Sequence, residues 1–299
     1  MANLKEVRDR IVSVKNTQQI TKAMKMVSAA KLRRAQDAIT QMRPYANKLD
    51  SMLRNILSNL EGDAGTVFGQ ERPVERACIV VVTSNRGLCG AFNTNVIKAA
   101  LAAMEGKFAD VHARGNLTML FVGKKGNEYF KKRYADSVNI ISDYVNLFDD
   151  LSFENTKKVA SYLMDNFKNG RFDAVEVAYG EFRNAAVQNT VHVPFLPVPK
   201  VEAEEGATNN HRADYIFEPS KEGLLSHLVP SILQTQFHKF NLDTQASEHG
   251  ARMTAMDAAT ENANDLLRDL KISYNKARQE SITNEILEIV GGAAALESA

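Results

Sequence analysis

The chain has 299 residues, a formal net charge of +1 and 44% hydrophobic residues. That length allows one sizeable core plus an extended element, and the near-zero charge gives no overall argument for nucleic acid. Two cysteines, Cys78 and Cys89, make no disulfide framework, so a reducing compartment is expected, and no run approaches the roughly 18 apolar residues of a membrane span.

The first segment, MANLKEVRDR, has no apolar signal core, and the early Glu6 and Asp9 argue against a transit peptide. Residues 1–60 read as one long helix. Leu4, Val7, Ile11 and Val14 start a three-four spacing, and Ala35, Ala38, Met42, Tyr45, Leu49, Met52 and Ile56 resume it. Ile20, Met24 and Val27 have slipped by one residue between them, which predicts a local change of supercoil. Pro44 predicts a bend or a join, and Gly62, Gly65 and Gly69 end the element.

Residues 76–198 change period. Continuous apolar runs at 77–83, 117–122, 174–178 and 191–198 read as strands buried on both faces. Helical stretches at roughly 93–105, 125–134 and 153–169 alternate with them, which predicts a parallel sheet covered by helices, a Rossmann-like α/β domain. Asp149 and Asp150 read as a helix-start signal before Leu151. Residues 199–222 are a polar connecting segment.

The last part, 223–299, reads as one unbroken helix. Met253, Met256, Thr260, Ala263, Leu267, Leu270, Tyr274, Ala277 and Ser281 alternate three and four, the heptad spacing of a coiled coil. At about 1.5 Å per residue such a helix spans roughly 110 Å, whereas a compact globule of this chain length is only about 50 Å across. The rod therefore projects beyond its own chain. Its tip, Ile286, Leu287, Ile289, Val290, Ala293, Ala294, Ala295 and Leu296, needs a socket from other chains. The expected architecture is an antiparallel coiled coil of the two terminal helices with the α/β domain between them in sequence. Residues 1–60 carry twelve Lys and Arg against four Asp and Glu, and residues 241–299 carry five against ten, so net +8 faces net −5. Exposed pairs are worth only a few tenths of a kcal/mol each, so charge sets register and the apolar seam supplies the energy.

Catalytic chemistry finds little footing. The loop Ser84-Asn85-Arg86-Gly87-Leu88-Cys89-Gly90 follows a strand and precedes a helix but matches no phosphate-binding fingerprint; it reads as a tight turn. The six histidines have no ligand spacing: His238 and His249 lie about 16 Å apart along one helix. No nucleophile has a recognisable setting, and the basic first helix lacks the aromatic platform of a nucleic-acid surface. Met24, Met26, Met42, Met52, Met253 and Met256 read as flexible core filler, or as a surface that packs against several partners in turn.

The terminal sequences KEVRDRIVSVKNTQQITKAMKMVSAAKLRRAQ at 5–36, ARMTAMDAATENANDLL at 251–267 and YNKARQESITNEILEIVGGAAA at 274–295 resemble the gamma subunit of the rotary F-type ATP synthase, as does the loop SNRGLCGAFN at 84–93. Asn85 stands where that family usually has aspartate, Ala91 where it has glycine, and Gly250 where it has alanine. The resemblance implies the central rotor shaft, which couples proton flow through the membrane sector to ATP synthesis and regulates ATPase activity. It implies partners: three alpha and three beta subunits, epsilon and delta subunits, and the c-subunit ring. It implies no catalytic residue, no cofactor and no metal in this chain. It implies contacts with the alpha/beta ring by Met24, Arg252, Arg278, Gln279, Thr283, Ile286, Ile289 and Val290, the polar ones facing outward between seam positions. It implies a foot on the c ring and epsilon at Tyr215 and Glu218, and a peripheral place on the cytoplasmic face of a bacterial plasma membrane. With no cysteine after Cys89, the thiol regulation of plant-type relatives is not expected. Two other classes remain open: a non-rotating coiled-coil scaffold, and an enzyme using the α/β domain.

Overall fold

A computed structural model describes residues 4–58, 67–198 and 221–297. Helix α1 runs Leu4–Ser58 and helix α6 runs Lys221–Glu297. The chain divides into two units: Met1–Ser28 with Met253–Ala299, and Ala29–Arg252. Helix α1 passes through Pro44 and α6 through Pro230, so the join expected at Pro44 is absent.

In the first unit the two helices pair antiparallel: Gln18 bonds Asn264, Thr21 meets Thr260 and Lys25 pairs with Asp257. The seam on α6 is the one the spacing predicts. Met256, Ala263 and Leu267 are buried, and Met253, Thr260, Leu270, Tyr274, Ala277 and Ser281 are half-buried. On α1 the expected slip does not occur. The shielded positions are Leu4, Val7, Ile11, Val14, Gln18, Thr21, Lys25 and Ser28, in unbroken three-four alternation, while Ile20 is 60% and Val27 57% exposed. Polar residues occupy the middle of the seam because each finds a polar partner across it. The Thr21 and Thr260 hydroxyls lie 2.8 Å apart, each also within reach of its own helix at Gln18 O (3.0 Å) and Met256 O (2.7 Å). Polar seam residues fix register at a cost in stability. Replacing Thr21 and Thr260 together by valine should therefore leave stability unchanged or raise it by about 1 kcal/mol. Urea unfolding that showed a loss beyond about 2 kcal/mol would mean the hydroxyl pair itself holds the helices.

The second unit is built on a five-stranded sheet in the order β3-β2-β1-β4-β5. The strands are β1 (Ala77–Val82), β2 (Leu117–Val122), β3 (Asn139–Ile141), β4 (Ala174–Phe182) and β5 (Gln188–Leu196). Strands β1 to β4 are parallel, and β5 returns antiparallel to β4, so the sheet is mixed rather than wholly parallel. The short β3 lacks an apolar run of its own. Helices α2 (Phe92–Glu105), α3 (Ala109–Ala113) and α4 (Lys124–Arg133) cover one face, packing on Ala77, Ile79 and Val81 of β1. Helix α5 (Phe153–Lys168) and the 229–240 stretch of α6 cover the other, on Cys78, Val80 and Val82. The sheet alternation thus feeds two cores. Helix α5 starts at Phe153 after Ser152, two residues later than the aspartates suggest. Asp149 instead accepts from Asn85 Nδ2 (3.0 Å), and Asp150 from Asn155 Nδ2 (2.8 Å).

Within this unit the α1 seam continues through Leu32, Ala35, Ile39, Met42, Ala46 and Leu49. Tyr45, expected in the seam, is 60% exposed, because the alternation selects Ala46. From Val229 to Arg252, α6 is shielded almost all round, the mark of a core helix. Two glycines let it approach β4 and the β4–β5 turn. A Cβ on Gly180 would stand 2.4 Å from Phe92, and Gly180 O accepts from Ser247 Oγ at 3.1 Å. A Cβ on Gly250 would stand 3.2 Å from Ala185 O. Gly250 costs about 1 kcal/mol of helix propensity, and close packing is what it permits.

Candidate functional site

In the first unit, the C-terminal end of α6 is apolar and bare. Ile282, Ile286, Leu287, Ile289 and Val290 are exposed, Ile289 at 72%, and a Cβ on Gly291 or Gly292 would meet open space. Soluble surfaces rarely carry such a contiguous apolar patch unless another chain covers it. Arg278 and Gln279 are exposed just before it. The Thr283 hydroxyl donates to Gln279 O at 2.9 Å, so it serves its own helix first. Met24 is half-buried beside the seam. A second bare stripe, Val12, Ile20, Met26 and Val27, lies on the outer side of α1. The residue types were visible in the sequence, but their direction depended on the polar seam.

In the second unit, Arg252 is buried, contrary to the outward position expected for it. Its Nη2 donates to Arg86 O (2.9 Å) and Gly87 O (3.3 Å), its Nε to Gly87 O (3.3 Å), and its Nη1 pairs with Glu248 Oε1 at 2.6 Å. The planar guanidinium thus clamps the 84–90 loop to α6. The loop is also tied internally: Ser84 Oγ donates to Arg86 O (2.6 Å), and Asn93 donates to Cys89 Sγ (3.2 Å). At the loop tip Leu88 has φ +63° and is 64% exposed, a left-handed conformation that a leucine adopts only under constraint. Gly90 is the glycine with positive φ; Gly87, which the sequence suggested for that role, is not. Beside the clamp lies a cleft of about 490 Å³, lined by Lys31, Arg34, Arg86, Asp149, Glu248 and His249 among others.

Buried charge elsewhere in this unit is paired or neutralised. Burial would raise Glu176, but hydrogen bonds to His192 (3.0 Å) and Lys107 outweigh it and hold the carboxyl below its usual range. Burial pushes His238 down; its Nδ1 lies 2.9 Å from the Thr156 hydroxyl. Among the described residues no group of three or more His, Cys, Asp or Glu could hold a metal ion, and no helix is long and apolar enough to cross a membrane. Tyr215 and Glu218, with residues 199–220 around them, lie outside the described residues.

A protein-family model described as ATP synthase matches residues 3–296. The chain is 51% identical over 298 residues to the ATP synthase gamma chain of Cytophaga hutchinsonii, covering all of both chains. It is 51% identical to that of Flavobacterium psychrophilum, covering 99% of this chain and all of the relative. Among solved structures, a chain of the Euglena gracilis mitochondrial ATP synthase (OSCP/F1/c-ring) shares the fold at a TM-score of 0.65 and 24% identity, over 99% of this chain and 95% of that one. A chain of the Tetrahymena thermophila mitochondrial ATP synthase central stalk and c-ring does so at 0.54 and 22%, over 80% and 99%. By its match to the family model and its identity to these full-length relatives, the chain belongs to the ATP synthase gamma chain family.

Proposed function

We propose that the chain is the central rotor shaft of an F-type ATP synthase, with no catalytic residue of its own. Three alpha and three beta subunits surround its helical pair. Epsilon and the c-subunit ring hold its foot, with Tyr215 and Glu218 among the contacts, and delta completes the head. Proton flow turns ring and shaft together, and the asymmetric shaft biases each catalytic site toward a different conformation; contacts that differ between states are what couples them. The same contacts regulate ATP hydrolysis. Attachment to the cytoplasmic face of a bacterial plasma membrane runs through these partners.

The observation that carries this reading is the bare apolar end of α6 in a chain of this family. Ile286, Ile289 and Val290 supply a surface without strong directional bonds, suited to turning inside a sleeve. Arg278, Gln279 and Thr283 present hydrogen-bonding groups just before it, and Met24 lies on the partner helix. Arg252 acts differently, through the loop it clamps. The test is reconstitution of membrane vesicles with and without the chain. Loss of proton-driven ATP synthesis in its absence, with a fixed stoichiometric complex in its presence, is the expected result. ATP turnover by the chain alone would refute it.

Arg278 and Gln279 give a finer prediction. Both are exposed in this chain, so replacing them together by alanine should leave its unfolding curve within about 0.5 kcal/mol. Proton-driven ATP synthesis in the reconstituted complex should fall several-fold, since a guanidinium that pairs with carboxylates in trans is lost. Unchanged synthesis would remove both residues from the coupling surface.

A further inference from the structure

His249 lies in the second unit against the Arg252 clamp. It is buried, and its Nδ1 stands 3.4 Å from Arg252 Nη1, so a neutral ring offers the guanidinium an acceptor. The groups around it come from four elements. Lys31 and Arg34 face it from α1, Asn85 and Arg86 from the loop, Asp149 from the turn before α5, and Gln245, Glu248 and Arg252 from α6. Four of these are cations and two are carboxylates. Both carboxylates are engaged, Glu248 by Arg252 and Asp149 by Asn85. A proton on His249 therefore removes an acceptor from Arg252 and puts a second positive charge beside it, in a site already rich in positive charge. The loop that Arg252 holds is poised to leave, because Leu88 is kept left-handed at its tip.

We propose that His249 makes the Arg252 clamp acid-sensitive: its protonation releases the 84–90 loop from α6 and uncovers Cys89. This is a property of the second unit alone and does not depend on the rotor reading. Burial, then Arg252 and Lys31, hold His249 at about 4 in the clamped state, against 6.5 for a free ring. A depressed histidine favours the clamped state fully above 6.5, and that advantage is lost as pH falls toward 4. By linkage the ratio of open to clamped loop rises about 30-fold between pH 7.5 and pH 5. Glu248 sits one turn from Arg252 on the same helix and stays paired with it when the loop leaves, so its own titration contributes little to the difference.

Cys89 reports the opening, since it is buried beneath the loop. Cys78 in the β1 core reports global unfolding. The full chain and its His249→Gln variant, whose amide accepts at every pH, are treated with 4,4′-dithiodipyridine from pH 7.5 to pH 5, and labelled peptides are identified by mass. The ratio of Cys89 labelling, unmodified chain over variant, should rise about 30-fold toward pH 5 while Cys78 stays unlabelled. A ratio constant across that range, or Cys78 labelling in step with Cys89, overturns the proposal. Hydrogen exchange of residues 84–93 in the unmodified chain, corrected for the intrinsic pH dependence, needs no variant. Its protection should drop by a comparable factor, and constant protection equally overturns the proposal.

Discussion

Two carboxylates placed in the tip, Ile286→Asp with Ile289→Asp, should leave the isolated chain folded and yet weaken its assembly with the alpha/beta head by about 100-fold or more. Both side chains are exposed in the chain alone, so the substitutions remove no core contact there. Within a sleeve of other subunits each new charge would lose its water, and desolvating an unpaired charge costs several kcal/mol, where 1.4 kcal/mol is tenfold in affinity. Glu288 already sits in this stretch, so two more acids would also repel. Ile289→Leu and Val290→Ile keep size and polarity and should be tolerated. The measurement is the fraction of chain that elutes with alpha and beta at a fixed concentration, alongside a thermal unfolding curve of the free chain. If the double-acid tip assembles like the unmodified one, no apolar sleeve surrounds it.

The α6 seam was legible because its shielded positions are mostly apolar, so spacing alone located Met256, Ala263 and Leu267. The α1 seam was not. Ile20 and Val27 drew the sequence reading toward a slip, but heptad geometry puts Gln18, Thr21 and Ser28 on the shielded side. What permits that is the polar partner across the pair, Asn264 for Gln18 and Thr260 for Thr21. A periodicity count along one helix does not contain its partner's chemistry. The sheet was legible where strands are buried on both faces, as β1 and β2 are. It was missed at β3, three residues that pair only with β2.

Arg252 shows the same limit at the candidate site. Its flanking spacing suggested an outward side chain, but its acceptors are Arg86 O and Gly87 O, more than 160 residues earlier in the chain. A weak signal was present: Glu248 stands four residues before it, a spacing that pairs charges on one helix face. That pair was ordinary enough to pass for a solvated one. Its burial follows from α6 packing against the α/β body, and only the fold supplies that.

The same packing strands a carboxylate. Asp243 is buried, with Oδ1 lacking a hydrogen-bond partner among the described residues and Arg43 Nη2 no nearer than 3.8 Å. Arg43 is half-exposed and donates to Phe182 O at 3.1 Å. Burial therefore dominates: with Glu181 adding to it, and Lys239 and Arg43 only partly opposing, it pushes Asp243 from 3.8 up to about 6. A carboxyl raised on folding lends its stability below the unfolded value and loses it as pH rises through the folded one, so at neutral pH Asp243 opposes folding. Asp243→Asn keeps the shape without the charge and should be more stable than the unmodified chain by up to about 3 kcal/mol at pH 8, the gap shrinking to about 1 kcal/mol by pH 4.5. Urea unfolding at the two pH values measures it. An asparagine variant less stable at pH 8 would mean that the Arg43 pair outweighs the burial of the charge.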